Sequence, residues 1–232
     1  TTNATYDPTL HVEDCTVDAA YNVVYDSHNT QNFKSVYFGN SIVKMTVANK
    51  PFYSTKAKDA HTQQLIRLDN NVFYAETPLQ NYLINCGDRS QAFQTTRLQV
   101  EVTNNTIYNI YQPNIMIRAY VLAGLTVTKN VGYYTGVTAK SYLTGVYDTA
   151  GFTADKAEVT YNYLYTAPVS DTNFWSAKHT GSYTPANNQM GDGVEAPFSS
   201  MDAAKGYFPV DASVVKTGAG ATYDTKAWFK AE

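Results

Sequence analysis

The chain has 232 residues, 44% of them hydrophobic and only 16% charged, with a formal net charge of −3. No apolar run approaches the roughly 20 residues that a membrane-spanning helix needs. Lys and Arg are scattered with no basic run, which argues against strong direct nucleic-acid binding. Charge falls below the usual ~25%, and the balance is made up by Thr, Asn and 20 Tyr. Tyr and Thr favour strands and Asn favours turns, so the composition predicts an all-β protein with contact surfaces rich in Tyr.

In chain order, residues 1–20 read as an extended N-terminal arm, residues 21–168 as a β core, and residues 169–232 as a loop-rich C-terminal extension. That extension is expected to pack on the core or on a neighbouring subunit. The arm, TTNATYDPTL onward, has no basic segment followed by an apolar one, so no signal peptide is expected in the sequence as given. A first strand is expected near Tyr21–Tyr25. SVYFGNSIVKMTVANKPFY, residues 35–53, reads as a hairpin turning at Gly39-Asn40. ETPLQNYLINCGD predicts a short helix, with Thr77 as N-cap, Pro78 at the first helical position and Gly87 as the stop.

The most regular stretch is RLQVEVTNNTIYNIYQPNIMIRAYVLAGLTV, residues 97–127. Leu98, Val100 and Val102 alternate with polar residues, the chain breaks at Asn104-Asn105, and 115–122 is apolar on both faces except for Arg118. Arg118 fits a core-edge ion pair or a subunit contact better than catalysis. An echo follows, Tyr-Tyr-Thr-Gly-Val at 133–137 and Tyr-Leu-Thr-Gly-Val at 142–146. Two copies fall short of the three that a solenoid requires, so a hairpin or projecting loop bearing Tyr is expected. VTYNYLYTAP, residues 159–168, predicts a further strand, and Ser200–Lys205 a helical turn ended by Gly206.

Few groups promise chemistry. His11, Glu13, Asp14 and Cys15 are adjacent, but an extended strand sends alternate side chains to opposite faces, so no metal site is expected. His28, His61 and His179 stand apart. Asp192, Gly193 and Glu195 lack the pattern of a calcium loop. No nucleophile-elbow, phosphate-loop or dinucleotide motif occurs. No catalytic residue, cofactor or metal is expected, and the chain is not read as an enzyme. Cys15 and Cys86 fit two free thiols or a disulfide tying the N-terminal segment to the core. Sequons occur at Asn3 and Asn104.

The stretch around QTTRLQVEVTNNTIYNIYQPNIMIRAYVLAGL, with its run-up from about residue 80 to residue 125, resembles single jelly-roll capsid proteins of small viruses. The resemblance rests on the strand Leu98–Val102, the Asn turn at Asn104 or Asn105, and a second strand, Ile115–Leu122, that carries Tyr120. It implies an antiparallel jelly-roll sandwich and a virion shell function. The usual basic arm is missing from residues 1–10. The fold expected is therefore an antiparallel β-sandwich with short helices. The function expected is a self-assembling structural protein, a capsid or virion subunit whose partners are copies of itself and other virion or surface components. The alternatives are an extracellular or cell-surface filament or surface-layer subunit assembling by strand exchange, with residues 1–18 as donor strand, and a carbohydrate-binding sandwich using Trp175. Candidate subunit-contact residues are Tyr133, Tyr134, Tyr142, Tyr147, Arg118, Trp228 and Phe229.

Overall fold

The computed structural model describes residues 9–19, 24–26, 33–50, 52–55, 65–86, 99–112, 115–119, 123–135, 142–146, 156–167, 173–175, 185–191 and 195–222. The chain winds in coils of three strands each. The first coil is β1 (Thr9–Glu13), β2 (Thr16–Ala19) and β3 (Val24–Asp26); the second is β4 (Ser35–Gly39), β5 (Ile42–Met45) and β6 (Tyr53–Thr55). The third is β7 (Leu65–Asp69), β8 (Val72–Gln80) and β9 (Ile84–Cys86); the fourth is β10 (Gln99–Thr103), β11 (Thr106–Tyr111) and β12 (Ile115–Ala119). The fifth is β13 (Gly124–Thr128), β14 (Val131–Thr135) and β15 (Tyr142–Val146); the sixth is β16 (Ala157–Thr160), β17 (Tyr163–Ala167) and β18 (Asn173–Trp175). A last strand, β19 (Gln189–Gly191), opens a further coil.

Equivalent strands stack into three sheets in the orders β1-β4-β7-β10-β13-β16, β2-β5-β8-β11-β14-β17-β19 and β3-β6-β9-β12-β15-β18. Every strand pair is parallel. The protein is a three-sided parallel β-solenoid, a quasi-one-dimensional stack in which each coil bonds only to its neighbours.

This overturns the antiparallel sandwich, and with it the jelly-roll and β-sandwich readings. The strands that carried the capsid resemblance, β10 and β12, belong to different sheets and do not pair. Gly39-Asn40 is not a hairpin turn, because β4 and β5 also lie in different sheets. The physical reason is at the corner. A tight hairpin of the commonest kind needs positive φ at both central residues. Here the first and second sheets are joined by two residues, of which only the first has positive φ: Asp14, Asn40, Asn70, Asn104, Lys129 and Tyr161, at 46° to 58°. One left-handed residue bends the chain without reversing it. The expected helix over 77–87 is also absent: residues 72–80 and 84–86 are strands. Residues 202–207 form a tight turn closed by an antiparallel bridge between Asp202 and Tyr207, in place of a helical turn.

In-register stacking makes columns of like side chains. Phe38, Leu68, Val102, Val127 and Val159 are aligned across the first sheet and all buried. Val43, Phe73, Ile107 and Leu164 line the second sheet from inside, and Tyr53, Ile84 and Ile117 line the third. Phe38, Phe52 and Phe73 meet edge to face with centroids 4.8 Å apart at each step. Gly132, at an inward-facing position, makes room for the Tyr134 ring; a Cβ there would lie 2.7 Å from Leu164 and 3.2 Å from that ring.

Candidate functional site

The corner between the first and second sheets carries an internal polar row: Ser41, Asn71, Asn105, Asn130, Asn162 and Asn188. All but Asn188 are at most 1% exposed. In each asparagine-to-asparagine step, the backbone N–H and the side-chain Nδ2 donate to Oδ1 of the next rung: Asn71 to Asn105 at 2.9 and 3.0 Å, Asn105 to Asn130 at 3.0 and 3.0 Å. Asn130 to Asn162 (2.9 and 2.9 Å) and Asn162 to Asn188 (2.8 and 3.0 Å) repeat it. Nδ2 also donates back to a strand-end carbonyl of the preceding coil, Asn105 to Leu68, Asn130 to Val102 and Asn162 to Val127. The side chain thereby satisfies the backbone groups that the bend leaves unpaired, a requirement in a dry interior. Successive rungs lie 30, 34, 25, 32 and 26 residues apart.

Outside the same corner the left-handed residues form a shorter chain: Asn40 Nδ2 donates to Glu13 Oε1 and Asn70 Nδ2 to Asn40 Oδ1, both at 2.8 Å. Asn104 Nδ2 instead donates to Asp69 Oδ1 at 3.0 Å. Its sequon hydroxyl, Thr106 Oγ1, is buried and accepts from the Ala221 N–H.

The outer face of the second sheet presents a tyrosine row. Tyr74, Tyr108, Tyr133 and Tyr165 are in register on adjacent strands. Tyr133 stacks on Tyr108 at 5.2 Å and on Tyr165 at 4.9 Å, with rings nearly parallel. Residues 195–222 fold back over this row. Phe208 stacks on Tyr108 at 4.1 Å, and Phe198 packs on Tyr133 at 5.7 Å. Ile42, Val72, Val131 and Tyr163 join Phe198, Phe208, Val215, Ala219 and Ala221 in a second apolar cluster, separate from the solenoid interior. Gly206, at φ +64°, sits so close that a Cβ would lie 2.7 Å from Ile42 and Tyr74. The end of the segment descends the corner coil by coil. Gly220 N–H donates to the Lys129 carbonyl, Ala221 N–H to Thr106 Oγ1 and Thr222 N–H to Asn70 Oδ1. Burial pushes the Tyr74, Tyr108, Tyr133 and Tyr163 hydroxyls above their ordinary pKa, with nearby carboxylates adding to the shift at Tyr74 and Tyr163. Tyr134, inside the solenoid, is raised far more by burial alone.

The outer face of the first sheet is polar and self-bonded. Arg67 pairs with Glu101 at 2.5 Å, Gln99 donates to the other Glu101 oxygen at 2.7 Å, and Thr103 donates to Asp69. His11 lies 4.5 Å from the Tyr37 ring and 3.3 Å from Glu13. Cys15 is a free thiol at the first corner, bonded to the Glu13 carbonyl. Among the described residues no group of three His, Cys, Asp or Glu side chains is placed to hold a metal. Among them, too, no helix is long and apolar enough to cross a membrane.

Of the sequence-predicted contact residues, Tyr133 lies in the tyrosine row beneath Phe198, and Tyr134 is buried inside. Arg118 and Tyr142 are placed on β12 and β15 in the third sheet, Arg118 beside Asn85 and Gly145, Tyr142 beside Ile115 and Asn173. Trp175 pairs with Thr144 on that sheet. Tyr147, Trp228, Phe229, Asn3, His28, His61, His179, Asp192 and Gly193 lie outside the described residues. Sequence reasoning missed the internal asparagine row and the two covering phenylalanines. The row's signal was present as one pattern, an alternating strand ending in Asn at the corner: LIRLDNN, LQVEVTNN, LTVTKN and AEVTYN.

No family model, no curated protein and no solved structure matches this chain.

Proposed function

We propose that this chain is a structural, self-assembling β-solenoid, a stiff element of a fibre on a cell surface or particle, and not a catalyst. The observation that carries the reading is the internal polar row, continuous from Ser41 to Asn188. It joins with three parallel ladders to bind every coil to the next in one register. Such a stack resists bending because a change at any coil breaks four sets of hydrogen bonds together. Low charge suits a protein that meets copies of itself.

The test is negative-stain electron microscopy of the native material with an absorbance ratio for nucleic acid. Rods or fibres without nucleic acid are expected. Closed shells carrying nucleic acid would replace the fibre with a particle wall. Dispersed monomers with affinity for glycans would replace it with a binding module.

A further inference from the structure

Among the described residues, each end of the coil stack presents strand edges with no further coil on them. From Ser41 through Asn162 each rung's N–H donates to the next rung's Oδ1, at 2.8 to 3.0 Å. Asn188 accepts in this way and returns Nδ2 to the Val159 carbonyl at 2.8 Å. Its own N–H and its second Nδ2 hydrogen, which the pattern directs to a following coil, have no partner among the described residues. After Gly191 the next described stretch, 195–222, packs on the outer face of the second sheet, and among the described residues no strand pairs with the far side of β19.

At the other end, β1 and β2 are the outermost strands of their sheets. Their inward residues Leu10, Val12 and Val17 are only partly buried, whereas their in-register neighbours Val36, Phe38 and Val43 are fully buried. Among the described residues, therefore, no apolar layer covers the outer side of the first coil, and the outward donors of Asn188 meet no acceptor. An unpaired strand edge is a template for another strand.

We infer that copies of this chain stack head to tail, the first coil of one lying on the Asn188–Gly191 edge of the next. This rests on the self-assembly reading and adds its mode. Pairing would be parallel, with the Asp14-Cys15 corner of one copy seated over Asn188 of the other. The contact joins two different surfaces, so it does not close on itself and yields an open filament. A laterally paired assembly would leave both edges bare.

Proline tests each edge separately. In a parallel ladder alternate N–H groups face opposite neighbours. Gln189 N–H donates inward to the Asn162 carbonyl, so Met190 N–H faces the open edge. Asp14 N–H donates inward to Gly39, so by the same alternation His11 N–H faces the other edge. The wild-type chain should lengthen with concentration in sedimentation velocity. Met190→Pro and His11→Pro should each stay short, and an equimolar mixture should stop at dimers, since each retains one intact end. Asn188→Asp keeps the acceptor for Asn162 but loses both amide donors, the outward one and the one to the Val159 carbonyl; with its melting temperature read beside its association, it is the control if a proline variant misfolds. It should weaken association about tenfold, the loss of roughly one hydrogen bond. If the wild type assembles and these variants assemble equally well, the end-to-end mode is wrong and self-assembly stands. If the wild type is monomeric at every concentration, both fall.

Discussion

The inside corner of the first and second sheets and the outer face of the second sheet solve opposite problems. The corner is narrow, dry and directional: Asn130 alone makes hydrogen bonds to Asn105, Asn162, Val102 and Thr128. The outer face is broad and non-directional, held by rings and aliphatic groups that the segment 195–222 covers. Hydrogen-bonded rungs fail abruptly, because a missing partner strands buried polar groups on both neighbouring coils. Apolar cover fails in proportion to the area lost. One chain thus has a brittle spine and a graded cover.

The largest expected effect tests the spine. Asn130→Ala orphans the Asn105 N–H and one Asn105 Nδ2 hydrogen, at about 1–3 kcal/mol each. Denaturant unfolding should show a loss of at least about 2 kcal/mol, together with broken cooperativity between the two halves of the stack. A loss no larger than that of an exposed alanine substitution would show that the row is ornament.

Phe208→Ala comes next. It removes the ring lying between Tyr74 and Tyr108, at about 3–5 kcal/mol for a buried phenylalanine. The loss should fall on the cover: proteolysis within 195–222 speeds up while the far-ultraviolet β signal persists. Gly206→Ala should act in the same direction by about 1–3 kcal/mol, through its crowding against Ile42 and Tyr74. Simultaneous loss of the β signal in either variant would make the cover part of the spine.

Alkaline pH gives a third separation. The Tyr74, Tyr108, Tyr133 and Tyr163 hydroxyls are raised above their ordinary value. A raised folded-state pKa stabilises fully below the unfolded value of about 10 and is lost as pH rises through the folded one. The cover should therefore loosen above about pH 10. Tyrosinate absorbance should rise together with protease sensitivity at 195–222.

The smallest effect is a gain. Lys129 and Tyr161 hold left-handed φ at 55° and 58°, a conformation that Asn tolerates better. Lys129→Asn or Tyr161→Asn should raise stability by up to about 1 kcal/mol, read as a higher melting temperature. Destabilisation instead would show that these side chains do something on the surface beyond turning the corner.

The strand before the Asn104 corner was legible because alternation survives any topology: Val100 and Val102 face inward whether the sheet is parallel or antiparallel. The direction of the next strand was not legible. A left-handed Asn serves a hairpin and a solenoid corner alike, and only the second residue's φ separates them. The repeat was hidden because its coils differ in length, from 25 to 34 residues along the asparagine row. The visible echo at 133–146 joined two faces of one coil, β14 and β15, and not two coils. Pro78 looked like a helix start, yet it lies within β8, where four residues between Tyr74 and Leu79 bulge past the single Asn109 of β11.

The sequence by itself determined the class of secondary structure, the inward and outward sides of the best strands, and the residues at which the chain must turn. Those follow from side-chain periodicity and from the backbone preferences of Asn and Gly, which are local. The tertiary structure alone decided that the turns are corners, that asparagines 25 to 34 residues apart form one row, and that Phe198 and Phe208 close over the tyrosines. Those are contacts between distant residues, and their energy depends on register, which no local preference specifies.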